Sequence, residues 1–164
     1  MEHAANTRNE LPVDPELDDD QSVTGDRRRR AAVLGVVATA GAVGALARYG
    51  LSEVWPAAAG HFPWSIFVIN VSGSLLIGLV LVVLLERFPA GHLARLLAVS
   101  GFLGAYTTFS TYVVGVVQLW RDHDVLTGIA YAAGSLCAGL VATAGGIAIG
   151  RAVIRLDRVV SEVR

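Results

Sequence analysis

Four apolar segments, each about as long as a bilayer-spanning helix, constrain the fold of this chain most. They cover residues 31–50, 64–85, 96–120 and 125–150. A helix needs about 20 apolar residues to cross the hydrocarbon core, where only helices and closed barrels satisfy their own backbone hydrogen bonds. Charged residues make up 16% of the chain, against roughly 25% in soluble domains. The sequence therefore predicts an all-α membrane protein with four transmembrane helices.

The regions outside these segments are charged and set the domain boundaries. Residues 1–30 are acidic up to Asp26, show no apolar period and end in the arginines 27–30. This pattern predicts a disordered acidic tail followed by a basic juxtamembrane stop. Residues 31–150 form the predicted four-helix domain. Residues 151–164 place arginines on one helical face and apolar residues on another, which predicts an amphipathic extension along the membrane surface.

The arginines predict the orientation of the chain. With four spans, both termini and the connection after the second span lie on one side. That side carries every arginine except Arg121, on the other side, and Arg48, within the first span. Under the positive-inside rule, we expect a multi-pass protein of the cell membrane with both termini in the cytoplasm.

The third segment carries an unusual polar stretch in the middle of a span, from Gly101 to Tyr112. The glycines and the Thr107-Thr108 pair predict a helix that is broken near its middle. A broken helix frees backbone carbonyls, which can coordinate a small cation at membrane depth. Beyond the break, Phe109 and Tyr112 share a helical face. Their electropositive ring edges could contact a dehydrated anion, or the rings could serve packing alone.

Polar residues in the other spans allow two interpretations each. Arg48 could extend its charge to the membrane surface, or it could neutralise backbone carbonyls or hold anions in a vestibule. Asn70 could donate N–H groups to an anion or hydrogen-bond to a neighbouring helix. Tyr131 and Ser135 stack their hydroxyls along one face of the fourth helix, as a polar track or as interhelical hydrogen-bonding groups.

Several classes of function are disfavoured. No Asp or Glu lies inside a span, which argues against a small multidrug-type antiporter because proton coupling needs an embedded carboxylate. No nucleophile elbow, phosphate-binding loop, carboxylate pair or Cys/His metal cluster is present, so we expect neither an enzyme nor a nucleic-acid-binding protein. The single Cys137 is expected to be a small buried apolar residue.

Three motifs carry a family resemblance. They are Gly41-x-x-Gly44-Ala45-x-Ala47-Arg48-Tyr49, Asn70-x-x-Gly73-Ser74 and Gly101-Phe-x-Gly104-x-x-Thr107-Thr108-Phe109-Ser110-Thr111. In order and spacing they resemble the three signatures of the CrcB/Fluc fluoride channels. The resemblance covers residues 31–150. It implies a four-helix subunit in an antiparallel dimer that carries fluoride pathways and a central Na⁺ ion, structural and not transported.

The resemblance also implies roles for individual residues. The carbonyls of Gly104 and Thr107 would hold the Na⁺ ion, together with the same two from the partner. Asn70 would be the pore amide and Arg48 the structural arginine of the first span. The remaining fluoride pathway would comprise Phe109, Ser110, Thr111, Tyr112, Tyr131 and Ser135.

Two positions depart from the family pattern. Tyr112 stands where the family usually has a second Phe, and Gly139 leaves the polar track empty one turn after Ser135. Because the arginines favour one orientation, we expect an antiparallel heterodimer with an oppositely oriented homologue that exports fluoride passively. The alternatives are a non-conducting partner subunit and a small four-span multidrug-type transporter.

Overall fold

The computed structural model describes residues 19–56, 60–87 and 96–162, and every regular element in these ranges is helical. The elements are α1 (Asp19–Val54), α2 (Trp64–Arg87), α3 (Leu96–Leu103, with π-helical geometry), α4 (Gly104–Tyr106), α5 (Phe109–Arg121) and α6 (Val125–Glu162). Four stretches are long and apolar enough to cross a membrane: Arg27–Val54, Trp64–Glu86, Val99–Arg121 and Val125–Asp157. The prediction of an all-α chain with four such helices is confirmed.

The domain boundaries differ in detail from the predicted ones. Helix α1 begins at Asp19, so residues 19–26, which the sequence assigned to a disordered tail, are helical, as are the arginines 27–30 that follow. Residues 1–18 lie outside the described part of the chain. The chain forms two compact units, one that ends at Leu34 and a larger one that begins at Gly35. At the other end, α6 runs without interruption to Glu162, so the arginine-rich extension continues the fourth helix.

The core of the larger unit lies where α2, α5 and α6 meet. Ile69 and Tyr131 are fully buried there, and the cluster around them includes Tyr112, Val116 and Leu119. This core holds together α2, α5 and α6, the three helices that contribute to the site described below. Cys137, by contrast, is exposed on the single chain, so the prediction that it is buried was wrong for this subunit. Its position on α6 faces away from the core.

Helices α2 and α6 form the most extensive helix pair, and their backbones touch. A Cβ atom added at Gly78 would collide with the carbonyl oxygen of Thr143, and one added at Gly146 would collide with the carbonyl oxygen of Leu75. Only glycine permits backbones to approach this closely, as in other membrane helix pairs. The two glycines therefore set the distance between α2 and α6.

Gly146→Ala is expected to destabilise the protein, because the added methyl group must push α6 away from Leu75. Overpacking of this kind typically costs about 1–3 kcal/mol. Gly134→Ala is the matched control, since nothing lies within 4 Å of a Cβ atom at that position. Alanine there favours the helix by up to about 1 kcal/mol. Thermal unfolding in detergent should show a lower transition temperature for Gly146→Ala alone; equal transition temperatures would contradict the close packing.

Candidate functional site

The third span is interrupted at Thr107 and Thr108. Helix α4 ends at Tyr106, and both threonines have extended backbone, with ψ of 157° at Thr107 and φ of −147° at Thr108. Thr108 then caps α5, since its hydroxyl oxygen accepts the N–H of Thr111 at 3.2 Å. At membrane depth, the N–H and C=O groups of such extended backbone need hydrogen-bond partners from elsewhere in the protein.

Asn70 on α2 provides those partners. Its Oδ1 accepts the backbone N–H of Thr108 at 2.9 Å, and its Nδ2 donates to the carbonyl oxygen of Thr108 at 3.0 Å. One side chain thus satisfies both backbone groups of an extended residue. Of the two interpretations of Asn70, interhelical hydrogen bonding is present in the structure. The second N–H of the amide has no partner within the described ranges, so it can still donate to an ion.

The interruption leaves backbone carbonyls without their helical donors, and those of Gly104 and Thr107 are among them. In an unbroken helix Gly104 would accept the N–H of Thr108, and Thr107 would accept that of Thr111. The first N–H goes to Asn70 and the second to the Thr108 hydroxyl. Gly104 is also exposed on this chain. Free carbonyl oxygens are ligands that hard cations accept, so the residues fit the Na⁺ site that the sequence predicted, which stays a prediction.

An open groove of about 480 Å³ lies beside the interruption, and we call it the Asn70 groove. Helices α2 and α6 form its walls, and the residues around the interruption lie at its edge. Its lining comprises Asn70, Ser74, Ile77, Thr107, Thr108, Phe109, Tyr112, Ser135, Leu136, Gly139, Leu140 and Thr143. The structure thus brings together four of the predicted pathway residues, namely Asn70, Phe109, Tyr112 and Ser135.

The two aromatic residues of α5 have different environments. The Phe109 ring is 74% exposed on the single chain, and its centroid lies 5.6 Å from that of Tyr112. Tyr112 is 9% exposed, and its hydroxyl donates to the carbonyl oxygen of Ala132 at 3.0 Å. The extra donor that distinguishes Tyr112 from a phenylalanine is therefore bound to backbone and is not free for an ion.

Tyr131 and Ser135 carry buried hydroxyls that lack a hydrogen-bond partner in the described part of the chain. The Tyr131 side chain is fully buried, and its ring centroid lies 5.4 Å from that of Tyr112. An unsatisfied buried polar group costs about 1–3 kcal/mol and calls for an explanation. The sequence also allowed interhelical hydrogen bonds for these two hydroxyls, but neither forms one within the described ranges. A polar ligand would supply the missing partner.

A second cavity, of about 410 Å³, lies between α5 and the segment from Gly60 to Ile66. It is lined by Thr111, Gln118, His61 and Asp122, among others. The sequence predicted Thr111 but missed Gln118, although Gln118 follows Thr111 by seven residues and therefore lies on the same face of α5. The Tyr131 ring lies behind the wall of this cavity, since a Cβ atom added at Gly115, which lines the cavity, would be 3.1 Å from that ring.

Four predicted site residues line neither cavity: Arg48, Gly104, Ser110 and Tyr131. Arg48 is half-buried on α1, and its carbonyl oxygen accepts the hydroxyl of Ser52 at 3.0 Å. Ser110 is exposed, with its hydroxyl 3.3 Å from that of Thr108. Their predicted roles stay predictions.

Comparison with known proteins gives one consistent result. The family model described as "CrcB-like protein, Camphor Resistance (CrcB)" matches residues 35–147. A protein of Streptomyces coelicolor named "Fluoride-specific ion channel FluC 1" is 45% identical over 70% of this chain and 75% of its own length. A protein of Nocardia farcinica named "Fluoride-specific ion channel FluC 2" is 38% identical over 76% of this chain and 86% of its own length. A protein of Solidesulfovibrio magneticus named "Fluoride-specific ion channel FluC" is 40% identical over 73% of this chain and 97% of its own length.

Proposed function

The chain belongs to the CrcB family of multi-pass ion channels, which are not enzymes, and from this premise we propose that it conducts fluoride out of the cytoplasm. The observation that carries the proposal is the Asn70 groove. It places an amide N–H, an aromatic side chain and an unpartnered buried hydroxyl next to one another. The amide and the hydroxyl are hydrogen-bond donors, and the aromatic ring has an electropositive edge, so all three suit an anion.

Fluoride is small and holds its water strongly, so the pathway must replace that water with protein contacts. Ser135 and Tyr131 offer two unpartnered hydroxyls, and the Phe109 ring offers its edge. We propose that the ion passes from the Asn70 groove along Ser135 and Tyr131 to the cavity at Gln118. Flow would be passive, because the neutral acid enters the cell, dissociates there and leaves as an anion down the membrane potential.

We further propose that the carbonyls of Gly104 and Thr107 hold a structural Na⁺ ion. The ion would supply positive charge that fixes the carbonyls at the interruption. Two carbonyls are few ligands for a cation, and Gly104 is exposed, so the set is completed by the same carbonyls of a second subunit. An antiparallel dimer brings these groups together at its axis, and Phe109 would be covered in the same interface.

Fluoride efflux from liposomes, followed with a fluoride electrode, tests the proposal. The chain is reconstituted together with an oppositely oriented homologue, and cells that lack its gene are tested for growth in fluoride. Efflux above that of protein-free liposomes and fluoride-sensitive cells are expected. If the cells are sensitive to fluoride but substitutions at this chain's own pathway residues leave efflux unchanged, the chain is a non-conducting partner subunit.

Tyr112→Phe is expected to leave fluoride flux within about threefold of the wild type, because the lost hydroxyl is bound to the Ala132 carbonyl. The transition temperature should fall slightly, since a hydrogen bond contributes about 1 kcal/mol. Tyr112→Ala, which also removes the ring, should lower flux at least about tenfold. If Tyr112→Phe lowered flux as much as Tyr112→Ala, the hydroxyl would contact the ion and the proposed role of the ring would be wrong.

A further inference from the structure

The line of hydroxyls on α6 stops one turn after Ser135. The Ser135 hydroxyl is buried and lacks a partner, but the next position on that face is Gly139, which has no side chain. Both residues line the Asn70 groove. An anion that leaves Ser135 in this direction would meet no donor from α6, since the nearby Thr143 hydroxyl donates to the carbonyl oxygen of Gly139 at 2.9 Å.

Ser74 on α2 lies against this gap. A Cβ atom added at Gly139 would lie 3.4 Å from the Ser74 hydroxyl oxygen, and Ser74 lines the same groove. Within the described ranges the Ser74 hydroxyl makes no hydrogen bond to another residue. The neighbouring Ser72 differs, because its hydroxyl lies 3.1 Å from the carbonyl oxygen of Ile69 and 3.0 Å from the Tyr106 hydroxyl.

We propose that Ser74 contacts fluoride directly and supplies, from α2, the donor that α6 lacks at Gly139. This inference rests on the proposed function. The polar track would then cross from one helix to the other, with Ser135 and Ser74 as successive steps.

The packing of α2 and α6 explains why a serine on one helix can replace a side chain on the other. One turn beyond Ser74, the backbone at Gly78 touches the carbonyl oxygen of Thr143. Helices this close leave little room between them, so a short side chain from α2 reaches the surface of α6. The absence of a side chain at Gly139 keeps the Ser74 hydroxyl open to the groove.

Moving the hydroxyl between the helices tests the inference. Ser74→Ala is expected to lower fluoride efflux about tenfold in the conducting assembly. Adding Gly139→Ser to Ser74→Ala places a hydroxyl on α6 at the same level, and efflux should return to within about threefold of the wild type. Ser52→Ala is the matched control. Its hydroxyl is bound to the Arg48 carbonyl and lies outside the groove, so efflux should not change.

The experiment distinguishes failure of this inference from failure of the proposed function. Undiminished efflux with Ser74→Ala, in an assembly where Asn70→Asp abolishes efflux, would overturn the role of Ser74 and leave fluoride conduction intact. Reduced efflux that Gly139→Ser does not restore would assign Ser74 to packing and would also overturn it. An assembly with wild-type chain that conducts no fluoride would overturn the proposed function and this inference with it.

Discussion

Fluoride efflux through assemblies that carry Asn70→Asp is expected to fall at least about 100-fold. The new carboxylate can still accept the N–H of Thr108, but it cannot donate to the carbonyl oxygen of Thr108, which it would face at the present 3.0 Å. It also places a negative charge in the groove that the anion must enter. Two like charges 4 Å apart repel by about 4 kcal/mol near a protein surface, and each 1.4 kcal/mol is tenfold.

Asn70→Ala separates repulsion from the loss of hydrogen bonds. It removes both bonds to Thr108 without adding charge, so flux should fall less than with Asn70→Asp. Acidification gives a second control within the Asp variant, because protonation restores a donor and removes the charge. Efflux through that variant, after subtraction of protein-free liposomes, should rise as the pH falls. Undiminished flux in Asn70→Asp at neutral pH would refute the pore role of Asn70.

The four spans could be predicted from the sequence because span length and hydrophobicity follow directly from the bilayer. The same is true of groups on one helix: Tyr131 and Ser135 are four residues apart, so their shared face follows from helical geometry. Thr107 and Thr108 also indicated where the third span is interrupted, since hydroxyls in mid-span compete with the backbone for hydrogen bonds.

Partners across helices could not be predicted. The sequence placed Asn70 and Thr108 in separate spans, but their pairing across 38 residues depends on how α2 packs beside the interruption. The approach of Ser74 to Gly139 and the bond from Tyr112 to Ala132 depend on packing in the same way. The helical start of α1 at Asp19 was missed because acidic composition alone suggested disorder, whereas acidic residues are favourable at a helix N-terminus.

Liposomes that contain only this chain are expected to show no fluoride efflux above background. The arginines of 27–30, together with those after the second and fourth spans, should insert every copy in the same orientation. Copies in one orientation cannot pair antiparallel, so the carbonyls of Gly104 and the ring of Phe109, which are exposed on the single chain, would lack their partner groups. Co-reconstitution with an oppositely oriented homologue should raise efflux at least about 100-fold.

A variant with balanced charge is the sharpest control, because it changes orientation and leaves every residue of the Asn70 groove in place. Replacing Arg27–Arg30 with glutamine and adding arginines beside Arg121 should let the chain insert both ways. If orientation alone prevents pairing, this variant should conduct fluoride without a homologue. If the balanced variant conducts no fluoride on its own, the obstacle to pairing lies in the interface residues instead. Strong efflux from the unmodified chain alone would show that it pairs with itself, and the heterodimer would be excluded as a requirement for conduction.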